Sequence, residues 1–330
     1  MKICIIGAGA IGGLLGARLV QAGHDVSLIA RGAHLAAMRA AGLKLRSMNE
    51  SLALRVNASD SVAGLGRQDA VFIALKAYSI ADMLPRLAPL MGPQTVVIPA
   101  INGIPWWYFY KEGGRFDGEA VACIDPGGSM LRSLDCGRIL GCVVHAAAEV
   151  VQPGVIEHTA GRRFILGEPD GSRSERAERV AAALEAAGLE APLSQRIRDE
   201  VWTKLIGNLA FNPICALTGA RMGEAMNNPA IVELTRIVMT EGMRVGEAYG
   251  AGFGLTIDER LHMARRIGNA KVSMMQDLER GRPIESEAIV GAVCELGRRV
   301  GVPTPTTDLF CALIRQRALS AVQPLCASMH

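Results

Sequence analysis

KICIIGAGAIGGLLGARLV, residues 2–20, decides how the first half of this chain is read. KICII is a short β-branched run, and Gly7-Ala8-Gly9-Ala10-Ile11-Gly12 follows at once. Leu14, Leu15, Ala17, Leu19 and Val20 then carry helical spacing towards Gly23, and DVSLIA, 25–30, reads as a second strand. The G-x-G-x-x-G spacing is weak by itself in a chain with 37 glycines, but set between a strand and a helix it predicts a dinucleotide-binding turn. Gly7 allows the tight turn, Gly9 lets a pyrophosphate approach the backbone, and Gly12 lets the helix pack on the sheet. The phosphates would meet the free N–H groups and positive dipole end at the helix N-terminus.

A cofactor with a free ribose 2'-hydroxyl wants an acidic residue at the end of the second strand, and this chain has Ala30-Arg31-Gly32. A guanidinium can grip a 2'-phosphate with two parallel hydrogen bonds, so Arg31 favours NADP(H) over NAD(H). DAVFIAL, 69–75, runs into Lys76, and TVVIPAI, 95–101, runs into Asn102-Gly103. Apolar runs of this kind suit interior parallel strands, whose carboxyl ends face ligands in open α/β sheets. Taken singly, Lys76 would be a loop lysine and Asn102-Gly103 a turn. Strands near 139–145 and 163–166 and a helix at 174–187 continue the alternation, and a boundary near 195 separates residues 1–194 from 195–330.

The second half reads as helical, with segments at 196–217, 228–250, 257–280, 284–299 and 306–320. In KLIGNLAFNPICALTG, 204–219, Lys204, Asn208 and Asn212 recur at steps of four, so one helical stripe carries an ammonium and two amides able to touch one small ligand. Ser273 and Glu285 also stand out, although a serine bonding its own backbone and an acid in a first helical turn are ordinary features.

Composition narrows the partners. A formal charge of +3 without a long basic or acidic block argues against nucleic acid or an anionic membrane, and leaves a small anionic ligand compatible. The 8 cysteines form no C-x-x-C pair and have no histidine at metal spacing, so free thiols in a reducing cytoplasm and no metal site are expected. The opening glycines and Arg18 argue against a signal peptide, and no stretch is long and apolar enough to span a bilayer. A cytoplasmic protein is expected, with a second copy of the chain as a candidate partner in a homodimer.

The glycine turn at residue 7, Arg31, Lys76, Asn102, K-x-x-x-N-x-x-x-N-P at 204–213 and S-M-M-Q-D at 273–277 together resemble the ketopantoate reductase (2-dehydropantoate 2-reductase) family over nearly the whole chain. The resemblance implies an α/β N-terminal Rossmann-type domain plus an all-α C-terminal domain like that of 6-phosphogluconate dehydrogenase. It implies NADPH-dependent reduction of a 2-oxo acid. Carried over position by position, it assigns Gly7, Ala8, Gly9, Ala10, Ile11, Gly12, Arg31, Lys76, Asn102, Ala147 and Glu285 to the cofactor. Lys204 becomes the proton donor, with Glu285 as its partner in a groove between the domains, and Asn102, Asn208, Asn212 and Ser273 meet the substrate.

The chain departs from the family in places. Five of its aromatics fall in WWYFY, 106–110, suited to a lid, a narrowed pocket, a subunit contact or packing against the helical domain. Met222 stands where some members carry a substrate-binding asparagine, and Ala270 where some are polar. Another branched or bulkier 2-oxo acid, or an NADPH sensor without turnover, therefore stays beside ketopantoate as an alternative.

Overall fold

The computed structural model describes residues 1–268 and 270–322. The tail beyond, with Cys326, lies outside the described residues. The chain divides into two compact units. The first comprises Met1–Ile101, Pro105–Ala120 and Gly127–Ile197, and the second Asn102–Ile104, Val121–Pro126 and the chain from Arg198 onward.

The first unit runs β1 (Lys2–Ile6), α1 (Ala10–Gln21), β2 (Asp25–Ile29), α2 (Gly32–Ala41), β3 (Leu43–Ser47), β4 (Glu50–Leu54), β5 (Asn57–Ser59), β6 (Ala70–Ile73), β7 (Val96–Pro99), α3 (Ser129–Ser133), β8 (Gly141–Gln152), β9 (Val155–Gly167) and α4 (Glu175–Ala186). The parallel sheet has the order β5-β2-β1-β6-β7, so β1 lies at the centre and successive connections leave it on either side. The strand order reverses there, which is where open α/β sheets present their ligand crevice.

A second sheet, ordered β4-β3-β9-β8, corrects the expected alternation. The strand predicted at 139–145 is the start of β8, which pairs antiparallel with β9 in one long hairpin, and β3, β4 and β5 have no counterpart in the sequence reading. The polar residues of HTAGRR and the alternation in LKLRS and ESLAL hide these strands from a search for continuous apolar runs. Helix α1 touches both sheets: a β-carbon on Gly16 would come 2.4 Å from Leu28, and one on Gly13 would come 2.7 Å from Ile156. Small residues on two faces of α1 are thus required by close approach on both.

The aromatic run is interior. Trp106, Trp107, Tyr108 and Phe109 are all buried, Tyr108 meets Phe109 edge-on with ring centroids 4.9 Å apart, and Phe109 lies 5.4 Å from Phe116. The segment belongs to the first unit, where a β-carbon on Gly141 would come 2.8 Å from Trp107.

The second unit is built from α5 (Ile197–Thr218, whose first residue closes the first unit), α6 (Met222–Met226), α7 (Pro229–Ala248), α8 (Ile257–Ile267), α9 (Ser273–Glu279), a π turn at Glu287–Gly291 that continues into α10 (Ala292–Val300), and α11 (Pro305–Val322). The helix expected over 257–280 is two helices, because Gly268 takes φ +68° and ends α8. α8 begins with reciprocal capping between Thr256 and Glu259. α7 lies close on α5: a β-carbon on Gly242 would come 2.5 Å from Leu209, and one on Gly246 would come 3.0 Å from Trp202.

Two segments from the first half of the chain are held in this helical unit by specific bonds. Ile104 N–H donates to Ala288 O at 2.8 Å, and Ala122 and Cys123 N–H donate to the Glu295 carboxylate at 2.8 and 2.7 Å. Gly103, at φ +81°, would bring a β-carbon 2.2 Å from Ala288 O. Among the described residues, no helix is long and apolar enough to cross a membrane, and the seven cysteines there are free.

Glu241 on α7 closes the N-terminus of α11. Its buried carboxylate accepts from Thr306 N at 3.0 Å, Thr307 N at 2.8 Å and Thr307 Oγ1 at 2.7 Å. Replacing it strands those donors, so Glu241→Ala is expected to lower stability by about 3 kcal/mol, read as a fall in the urea midpoint.

Candidate active site

The glycine turn leaves β1 with Gly7 at φ +98°, a backbone state that side chains rarely adopt. Gly7 and Ala8 N–H both donate to Ile29 O, at 3.1 and 2.8 Å, which ties the turn to the end of β2. A β-carbon on Gly12 would lie 2.0 Å from Gly7 O, whereas one on exposed Gly9 would meet nothing within 4 Å. Gly9 caps α1 without a side-chain hydrogen bond, Ala10 and Ile11 form the half-buried first turn, and that turn carries no acidic residue. Bare backbone, uncapped N–H groups and no competing carboxylate fit a pyrophosphate.

Arg31 is exposed at the N-cap of α2, directly beyond β2. Lys76 is half-buried beyond β6, at the head of a short 3-10 turn. These residues suit an adenosine ribose phosphate and a neighbouring anionic or hydroxyl group. Ala147 lies on β8 opposite Ala160, exposed, at a shift in register, and its carbonyl accepts from Thr159 Oγ1 at 3.1 Å within the hairpin.

His34 is the member of this region that sequence reasoning missed. Gly154 N–H donates to His34 Nδ1 at 3.0 Å, which requires a lone pair there and leaves the proton on Nε2. Nε2–H then donates to Ala8 O at 2.8 Å. The neutral ring clamps the glycine turn to the β8–β9 turn and stands one helical turn beyond Arg31. A histidine in a first helical turn carries no signal of such a role.

In the second unit, Lys204 Nζ donates to Asn102 Oδ1 at 2.7 Å. An ammonium can only donate, so this bond fixes the amide's orientation and turns its NH2 towards other acceptors. Asn208 is half-buried one turn further along α5, and Asn212, a turn beyond that, is only 4% exposed with its Nδ2 lacking a partner. A buried amide donor without an acceptor is costly unless a ligand satisfies it. Ser273 is exposed at the first position of α9, and Glu285 is 7% exposed just before the π turn. The Lys204–Asn102 bond links two members of the set directly, Ser273 opens α9, and Glu285 stands just before the π turn.

Arg260 on α8 also escaped the sequence reading. Its guanidinium is 8% exposed, Nη1 donates to Thr203 O at 2.6 Å, and Nε and Nη2 lack partners. Burial lowers its pKa. The two departures from the family pattern meet through backbone, since Met222 N–H donates to Ala270 O at 3.2 Å and the Met222 side chain is buried.

Burial pushes the pKa of His34 below 6.5, with the Ala8 bond opposing. A depressed histidine pKa means that the clamp's contribution is complete above the unfolded value and is lost as pH falls through the folded one. Dinucleotide affinity, followed by fluorescence titration, is expected to hold as pH falls past the ordinary histidine range and to weaken only as it passes the depressed value of the folded ring, and His34→Gln is expected to flatten that acid limb.

Comparison with known proteins finds family matches in both halves of the chain. Residues 3–106 match the ketopantoate reductase PanE/ApbA family, and residues 196–318 match its C-terminal family. The 2-dehydropantoate 2-reductase of Mesorhizobium japonicum is 47% identical over 320 residues, covering 97% of this chain and 98% of that protein. Among solved structures, a Ralstonia solanacearum protein superposes with a TM-score of 0.91 at 40% identity, covering 97% of this chain and 98% of its own. The 2-dehydropantoate 2-reductase of Geobacter metallireducens does so with a TM-score of 0.85 at 27% identity, over 96% and 99%. On the glycine turn, the Lys204–Asn102 pair and these matches across both halves, this chain belongs to the ketopantoate reductase family.

Proposed function

We propose that this enzyme reduces 2-dehydropantoate to pantoate with NADPH, residues 1–194 holding the cofactor and residues 195–330 the substrate. The observation that carries the reading is the Lys204 ammonium bonded to Asn102 at 2.7 Å, on a helix stripe whose next members are Asn208 and the unsatisfied amide of Asn212. A 2-oxo acid offers oxygen acceptors that match these donors. The named relatives point to the same substrate.

Gly7 to Gly12 would hold the pyrophosphate and Arg31 the 2'-phosphate, with Lys76, Asn102, Glu285 and, less directly, Ala147 completing the cofactor's contacts. The reduced nicotinamide, when bound, supplies the hydride that the carbonyl carbon accepts. Negative charge then builds on the carbonyl oxygen, and Lys204 stabilises it and delivers the proton that completes the alcohol. Asn102 holds the ammonium through Oδ1 and keeps its NH2 free to donate. Asn208, Asn212 and the Ser273 hydroxyl fix the acid's remaining oxygens so that the carbonyl is presented in one orientation. Buried Glu285 balances the ammonium, which burial alone would push towards neutral amine. The free cysteines suit a reducing cytoplasm.

Lys204→Ala is expected to lower kcat by roughly 100- to 1,000-fold while leaving NADPH affinity within about twofold, checked by stopped-flow reduction and by titration. Loss of cofactor affinity with turnover intact would overturn the assignment. Arg31→Ala is expected to raise the KM for NADPH by about tenfold and to leave NADH little changed, measured as a ratio of specificities. A panel of 2-oxo acids assayed by NADPH oxidation tests the substrate itself.

A further inference from the structure

Helix α5 carries a glycine near its centre, where glycine loses more backbone entropy on folding than alanine would. Six other glycines within helices are explained by close packing. A β-carbon would come 2.0 Å from Gly7 O on Gly12, 2.7 Å from Ile156 on Gly13, and 2.4 Å from Leu28 on Gly16. It would come 2.5 Å from Leu209 on Gly242, 2.8 Å from Phe253 on Gly246, and 2.9 Å from Val302 O on Gly297. On Gly207 it would meet only Phe211 Cδ2, at 4.0 Å. Gly207 is half-buried, neither packed against a neighbour nor fully in solvent. Packing therefore gives no reason for a missing side chain.

Its position does. Gly207 lies three residues after Lys204 and immediately before Asn208, so it adjoins the ammonium on the helix surface. Side chains on a helix lean towards its N-terminus, and Phe211, one turn on, accordingly leans back over Gly207 as one apolar wall. The result is a patch of bare backbone bordered by an ammonium, an amide and an aromatic edge.

We propose that this notch receives the carbon substituent of the 2-oxo acid, making Gly207 the residue that sets how bulky the group on the oxo carbon can be. The inference rests on Lys204 as proton donor to a 2-oxo acid. With the carbonyl oxygen at Lys204, a substituent branched at C3 lies against the Gly207 backbone and the Phe211 ring. A slim, unbranched 2-oxo acid does not need the space. Neutral donors alone would fix the polar end of either acid, so the discrimination comes from shape.

The test compares wild type with Gly207→Ala and Gly207→Val, using 2-dehydropantoate and the unbranched 2-oxobutyrate, with NADPH affinity and melting temperature measured alongside. Alanine is a better helix former and meets no neighbour here, so Gly207→Ala is expected to melt no lower than wild type and to bind NADPH within about twofold. It is expected to lose about tenfold or more in kcat/KM for 2-dehydropantoate, chiefly through KM, and to keep kcat/KM for 2-oxobutyrate within about threefold; Gly207→Val should widen the gap. Equal losses on both acids, or undiminished activity on the branched one, would overturn the proposal. A wild type that reduces neither acid would refute the reading on which the proposal rests, and would do so before any variant is made.

Discussion

The bond from the Lys204 ammonium to the Asn102 amide oxygen is the contact on which the proposed chemistry depends. Asn102 follows the last strand of the parallel sheet, yet it belongs to the helical unit, where Ile104 N–H bonds Ala288 O and Gly103 fits against the same carbonyl. The backbone of 102–104 is thereby fixed before the side chain reaches the lysine. In the proposed role the ammonium needs a defined position more than it needs affinity, because a displaced one stabilises a developing oxyanion poorly. Glu295, which takes the Ala122 and Cys123 N–H groups, holds a second segment of the first half in the same unit.

The cofactor region is governed by steric exclusion. Gly12 has no room for a side chain because Gly7 O occupies it, and Gly13 and Gly16 press α1 between two sheets. Gly9 differs from these: a β-carbon there would meet nothing within 4 Å. His34 adds a polar restraint, using one neutral ring to hold Ala8 O and Gly154 N–H at once. Only a group with a donor on one side and an acceptor on the other can make both bonds, so the restraint depends on the uncharged tautomer.

The same contrast among glycines holds in the helical unit. Gly242 and Gly246 let α7 lie against α5, while Gly207 on α5 faces no neighbour closer than Phe211. The sequence shows the glycines alike, and the fold distinguishes them by what stands where a β-carbon would be. Glu241 makes a similar point for charge: an acid in the middle of α7 reads as surface, yet it is buried as the cap of a helix far along the chain.

By itself the sequence determined the β-α-β opening with its glycine turn, the change from strands to helices near residue 195, and the four-residue stripe of Lys204, Asn208 and Asn212, because periodicity and turn chemistry are local properties of the chain. The break between α8 and α9 at Gly268 was also local, and was passed over because the helical pattern on either side kept its period. Only the tertiary structure decided that β8 and β9 form a hairpin in a second sheet, that Trp106 to Phe109 are buried, that Asn102 meets Lys204, and that His34 holds the glycine turn. Each of these joins or buries residues through contacts between distant parts of the chain, and a residue's neighbours in sequence carry no record of the partner it meets when the chain closes on itself.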